Sequence, residues 1–226
     1  MLGYVHLLPE TRPALERRTV AGTALWVLEG DLDGGLLPRR RLRRWTRRLA
    51  ECGVSHAALP PGREAEFAPI RPVLPDGLRL ALLPRLLDCL APAGDTALLL
   101  ADRADSRTLW AARVLAERFR HLRLSVGPGQ EALERQLLRQ LGLCPAGTVH
   151  LSRRGAAAVT VTFGPQAREG CAVYLTPDCA RRQRVDYIWR DGESPAPEEP
   201  LLAALHRAGR LPDVGVKSAE TLDIGP

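Results

Sequence analysis

The sequence predicts an α/β fold: a mostly parallel sheet flanked by helices, with a small N-terminal β unit and an irregular C-terminal segment. Three observations carry this reading. Residues 96–101 are an unbroken apolar run, long enough for a buried strand and too short for a helix. A helical repeat follows, with Leu109, Ala112, Leu115, Ala116 and Phe119 on one stripe and Arg107, Arg113, Glu117 and Arg118 largely off it. Residues 122–126 then return as a strand, and 130–141 form a second helix that Gly142 ends. Strands joined by short crossover helices run parallel, and an apolar strand between amphipathic helices is covered on both faces. Leu98, Leu100, Leu122, Leu124 and Val126 are therefore expected at the centre of the core.

Upstream, residues 4–8 alternate as a strand, and 17–20 and 23–28 flank Ala21–Gly22, a pair suited to a hairpin turn. The loop 31–35 (DLDGG) has the first acids of a calcium loop but lacks its later ligands and closing Glu, so no metal is expected there. Pro38 opens a helix over 38–52, with Gly53 just beyond it. Leu42, Trp45, Leu49 and Cys52 make its apolar stripe, and arginines occupy most of the rest. Residues 54–59 read as a strand and 60–76 as a Pro-rich connection, extended near 70–74. The helix at 78–90 contains Pro84, which must kink it or mark its true first turn.

Downstream, strands are expected at 147–152, 157–163 and 171–176, with an extended segment at 185–190. Residues 192–200 are rich in Pro and Glu and read as a linker. A helix at 201–208 and an extended tail at 214–224 complete the chain. The alternation of strand and helix over 54–176 resembles Rossmann-like α/β architecture, which many unrelated functions share. The expected organisation is an N-terminal β unit over 1–36 packed on the main domain, a Rossmann-like domain over 37–176, and a C-terminal extension over 177–226 with linker and short helix.

Composition narrows the function classes. Hydrophobic residues at 45% and charged residues at 26% belong to a globular chain. With aromatics at 4%, the core must be mostly Leu, Val and Ala. The net charge of +6 allows a polyanionic partner, and Lys217 is the sole Lys among 32 basic residues. Five cysteines at irregular spacing, beside apolar residues, read as reduced thiols and place the protein in the cytoplasm. No apolar run is long enough to cross a bilayer, so no membrane partner is expected.

Two groups of residues are candidates for a site. The first is the loop after the 96–101 strand, Asp102, Arg103, Asp105, Ser106 and Arg107, joined by Gly127 and Gly129. Ligands of open parallel sheets bind outside the carboxyl ends of strands, and a helix N-terminus offers free N–H groups to an anion. A helix cap, a solvated turn and a tight glycine turn account for the same residues. The second group is Arg40, Arg41, Arg44, Arg47 and Arg48, a broad basic face that suits a phosphate backbone or is simply solvated.

Several chemistries lack their residues. The Gly-rich turn of a dinucleotide site is missing, no Gly-Lys pair supports a P-loop, and no Gly-x-Ser-x-Gly elbow is present. The five His are scattered, and no CxxC pair supports zinc, so neither metal nor cofactor is expected. The reading is a non-catalytic module that binds a small anionic ligand or a protein partner at the strand carboxyl ends. The alternatives are a nucleic-acid-associated protein using the 38–52 helix, and a Rossmann-like enzyme without recognisable signature motifs.

Overall fold

The computed structural model describes residues 1–34, 37–142, 146–147, 157–163, 172–175, 183–189 and 196–221. In chain order, β1 is Leu2–Leu7, β2 Ala14–Val20, β3 Thr23–Gly30, α1 Pro38–Glu51, β4 His56–Ala58 and β5 Arg71–Pro72, with a 3-10 turn at Glu64–Phe67. Next come α2 (Asp76–Ala81), α3 (Leu83–Leu90), β6 (Thr96–Ala101), α4 (Ser106–Arg118), β7 (His121–Val126) and α5 (Gln130–Leu141). The remainder is β8 (Ala146–Gly147), β9 (Val159–Thr162), β10 (Ala172–Tyr174), β11 (Gln183–Trp189), α6 (Glu199–Arg207) and β12 (Val214–Thr221). The chain divides into two compact units, Met1–Gly77 with Tyr187–Gly215, and Leu78–Asp186 with Val216–Pro226.

In the first unit the strand order is β2-β3-β1-β4-β5. The expected hairpin at 21–22 joins β2 to β3, and it folds back so that β3 lies parallel beside β1. β4 pairs with the other side of β1, again parallel. This corrects the expected placement of the 54–59 strand in the central sheet. The cause is close packing of small side chains: Gly3 sits opposite Ala57. A Cβ on Gly3 would lie 2.8 Å from Val54 Cγ1 and 3.3 Å from the Ala57 Cβ.

Helix α1 covers the sheet face that carries Val5, Leu28 and Ala57, and contributes Leu42 and Leu49 to that core. Its buried residues are Leu42, Thr46 and Leu49, whereas Trp45 and Cys52 of the expected stripe are only half-buried. The short Thr46 faces inward, and the bulky indole is left at the helix edge. Tyr4 and His6, alternate residues of β1, point to the opposite face. There Tyr4 Oη donates to Glu198 at 2.8 Å, and His6 Nε2 lies 3.3 Å from the same carboxylate. Burial first, and Glu198 second, push the Tyr4 hydroxyl well above the usual phenol range.

In the second unit the order is β10-β9-β6-β7-β8, and every pairing is parallel. The chain steps outward from β6 to β7 and β8, then returns to the other side of β6 with β9 and β10. This is the doubly wound, Rossmann-like arrangement, with its reversal between β6 and β9. Ala97, Leu98, Leu99 and Leu100 are all buried, so both faces of β6 are covered. Leu122 and Leu124 are buried as well, but Val126 is half-buried because it stands at the strand's carboxyl end opposite Ala101. The buried set of α4 is Thr108, Ala111, Ala112, Val114 and Leu115, a rotation from the expected stripe that leaves Leu109, Ala116 and Phe119 half-buried. The 78–90 helix is two helices meeting at Leu82, and Pro84 stands in the first turn of α3.

A buried arginine organises the far edge of this unit. Arg79 is 1% exposed and donates to the carbonyls of Tyr174 (3.2 Å) and Gln183 (3.0 Å). The Gln183 amide accepts from Tyr174 N and donates to Ala172 O, so these polar groups are matched inside the core. β11 and β12 pair as a separate two-stranded sheet. Among the described residues no helix is long and apolar enough to cross a membrane. Most of the expected strand at 147–152, all of linker residues 192–195, and Cys144, His150, Cys171 and Cys179 lie outside the described residues.

Candidate functional site

The first candidate group gathers at the carboxyl end of β6. Asp105 is the N-cap of α4, and its Oδ1 accepts from Arg107 N and Thr108 N, both at 2.9 Å. Burial raises its carboxyl pKa. Bonds from the Thr108 N–H and hydroxyl, from Arg107 N–H, and the Arg107 charge outweigh burial and leave it below the usual range. Two of the helix N–H groups that an anion would use, those of Arg107 and Thr108, are thus taken by the chain's own carboxylate. Asp102 and Ser106 are exposed, and Arg103 Nε lies 3.7 Å from an Asp105 carboxylate oxygen. The Arg107 guanidinium lies over the Phe163 ring, 5.5 Å from its centroid, at the end of β9.

Gly127 and Gly129 come to the same place because the two loops lock together. Gly127 N donates to Ala101 O at 2.9 Å and Ala104 N to Pro128 O at 3.1 Å. A Cβ on Gly127 would fall 1.8 Å from the Asp102 carbonyl oxygen, so no larger residue fits without moving backbone. Gly129 has φ of +97° and a Cβ there would meet Ala104. Close packing of loop on loop accounts for both glycines.

The second candidate group lines a cavity. It occupies about 930 Å³ at the carboxyl ends of β1 and β3, within the first unit. Its wall comprises Glu10, Thr11, Arg12 and Pro13 from the loop after β1, Asp31 and Gly34 from the loop after β3, and Leu37, Arg40, Arg41, Arg44, Trp45 and Arg48 from α1 and its start. Of the five arginines expected to form a basic face, Arg40, Arg41, Arg44 and Arg48 turn into this hollow, whereas Arg47 does not line it. The helix places them there by its period, since 37, 41, 44 and 48 succeed one another along one face.

The rim is braced. Leu8 N donates to Gly30 O and Asp31 N to Thr11 O, joining the two strand-end loops. Asp31 Oδ1 accepts from Asp33 N (2.8 Å) and Gly34 N (2.7 Å), which is the local reason for the DLDGG sequence. These bonds, Gly34 first, hold the Asp31 carboxyl below its usual range, and Arg41 adds to the effect. Arg41 Nη1 donates to Asp31 O at 3.3 Å, while Arg63 forks onto Asp33 at 2.6 and 2.9 Å. Among the described residues no side chain caps α1; Pro38 brings no N–H, and the amides of Arg40 and Arg41 both donate to Leu37 O at 3.1 Å.

A smaller cavity, about 310 Å³, adjoins the first and is lined by Leu15, Trp26, Trp45, Arg48, Glu51 and Cys52. Trp45 and Arg48 belong to both, and the Arg48 guanidinium lies 4.8 Å from the Trp45 ring centroid. The sequence pointed to these arginines but not to Glu10, Arg12, Asp31 or Trp26 as their neighbours. The sequence marks a strand at 4–8 and a hairpin around Ala21–Gly22, but the parallel pairing of β1 with β3 that brings their carboxyl ends together leaves no local signal.

No protein-family description matches the chain, and no curated protein matches it. Among solved structures it is similar to L-tryptophan dehydrogenase from Nostoc punctiforme, at 10% identity and a TM-score of 0.31 over 71% of this chain. The match spans 55% of that protein's chain. A likeness this loose carries no argument about chemistry, and the fold assignment stands on the strand order itself.

Proposed function

We propose that the chain is a binding module for a small anionic ligand, held in the arginine-lined cavity at the carboxyl ends of β1 and β3. The observation that carries this reading is the convergence of Arg12, Arg40, Arg41, Arg44 and Arg48 on one hollow, opposed among the described residues by two carboxylates, Glu10 and Asp31. The volume, about 930 Å³, lies within the range of small-molecule sites, roughly 300–1,000 Å³. Arginine forks bind carboxylate and phosphate oxygens in pairs, which suits a compact anion reached by several of them at once. The loop at 102–107 is the weaker place for an anion, since Asp105 already holds two of the N–H groups there.

Two features support binding rather than catalysis. Among the described residues no His or Cys lines the larger cavity, and Thr11 supplies the one hydroxyl in its wall. The Asp31 carboxylate is engaged by its own loop. The nucleic-acid reading draws on the same largely exposed arginines of α1, but four of them share one hollow with Arg12, which favours a compact anion over an extended strand. Calorimetric titration with inorganic pyrophosphate at low salt tests the proposal. Binding that weakens when Arg40 and Arg44 are both changed to Gln is the expected result. No heat of binding at low salt would overturn it.

A further inference from the structure

The two adjoining cavities differ in chemistry, and together they describe a ligand with two ends. Resting on the anion-binding reading above, we infer that the ligand is a ring-bearing diphosphate of the nucleoside diphosphate kind, with its phosphates among the arginines and its ring in the cavity lined by Trp26 and Trp45.

The anionic end follows from charge. Among the described lining residues, five arginines against two carboxylates leave three positive charges in excess in the larger cavity. A diphosphate ester carries about three negative charges near neutral pH, since its terminal phosphoryl holds between one and two of them. The ring end follows from the smaller cavity. Trp26 from β3 and Trp45 from α1 are both half-buried, packed against the core on one side while lining that cavity. The Trp26 Nε1–H is taken by the Met1 sulfur at 3.1 Å, so this indole offers its ring surface and not a hydrogen bond. Planar rings stack on such surfaces whatever their substituents. Glu51, in the same wall, is an acceptor for an exocyclic amine. Arg48 stands at the junction with its guanidinium held over Trp45, where the phosphates would meet the ring-bearing group.

The test compares adenosine diphosphate with inorganic pyrophosphate on the whole chain, by calorimetry and by NMR of the tryptophan indole N–H groups. Adenosine diphosphate is expected to bind at least about tenfold more tightly, the scale of one base stacked on an aromatic ring. It should shift the Trp26 signal, which pyrophosphate leaves in place, and spare that of Trp110, which lines neither cavity. Trp26→Leu should bring the affinity for adenosine diphosphate down to that for pyrophosphate, and its unchanged pyrophosphate binding would show that the cavity is intact. Should that variant fail to fold, the wild-type Trp26 signal decides. Pyrophosphate binding without a nucleotide advantage, or a Trp26 signal indifferent to the nucleotide, overturns this inference and leaves the anion site standing. Binding of neither probe overturns both. A single-stranded oligonucleotide that displaces the diphosphate and binds more tightly overturns the assignment to a small molecule.

Discussion

Asp105 is the side chain on which the start of α4 depends, because its carboxylate takes two backbone N–H groups and the Thr108 hydroxyl. Asp105→Ala should therefore cost about 0.5–2 kcal/mol in denaturant unfolding. Its folded pKa is depressed, so the stability from ionised Asp105 is fully present above the ordinary carboxylate value of about 3.9 and is lost as pH falls through the folded value. Asp105→Asn keeps the cap, and should match the wild type near neutral pH while losing this part of the acid sensitivity. An Asn variant with an unchanged stability profile below pH 5 would deny Asp105 that role. At Trp45 the half-burial sets the expectation. Trp45→Ala should cost less than the roughly 3–5 kcal/mol of a fully buried aromatic, read as a shift in the denaturant midpoint. A loss at the top of that range would mean that the indole supports the core more than the ligand wall.

The elements differ in what they tolerate. β6 is buried across consecutive positions, so Leu99→Ala, at a site with 0% exposure, should cost about 2–5 kcal/mol in equilibrium unfolding. A neutral Leu99 variant would contradict the central position of β6. Helix α1 is the reverse case. Changing Arg40, Arg44, Arg47 and Arg48 together to Gln should leave stability nearly unaltered, since exposed charges contribute only about 0–1 kcal/mol each. The same change should abolish pyrophosphate binding, and a variant that still binds would separate the cavity from its proposed use. Element limits were legible where the chain marks them chemically. Asp105 ahead of α4, Gly142 after α5 and Pro84 in the first turn of α3 all stand where the sequence placed a start or a stop. Helix faces were less legible. A stripe built from apolar side chains missed Thr46 and Thr108, because a short threonine is buried beside leucines while Trp45 and Phe119 stay at the helix edge.

At the scale of the whole chain, the local pattern revealed the doubly wound sheet, and long-range pairing concealed the other one. The run β6–α4–β7–α5 is contiguous, so its periodicities suffice. Membership of β4 in the first sheet depends on Gly3 opposite Ala57, more than fifty residues apart, and no local window contains both. The candidate cavity was half legible for the same reason: four of its five arginines sit in one helix, but Arg12 and the remaining wall come from loops that a parallel β1–β3 pair brings together. Cysteine chemistry offers a test that spans the entire chain. Of the five cysteines, Cys52 and Cys89 are free, and Cys144, Cys171 and Cys179 lie outside the described residues. An odd number cannot pair completely within one chain, and the irregular spacing lacks the CxxC pairs of a zinc site. All five are therefore expected as thiols. Titration of the protein in denaturant, purified without reductant under alkylation-safe conditions, should count five reactive groups, and elemental analysis should find no stoichiometric zinc. A count of three would reveal one disulfide and a protein that matures in an oxidising compartment.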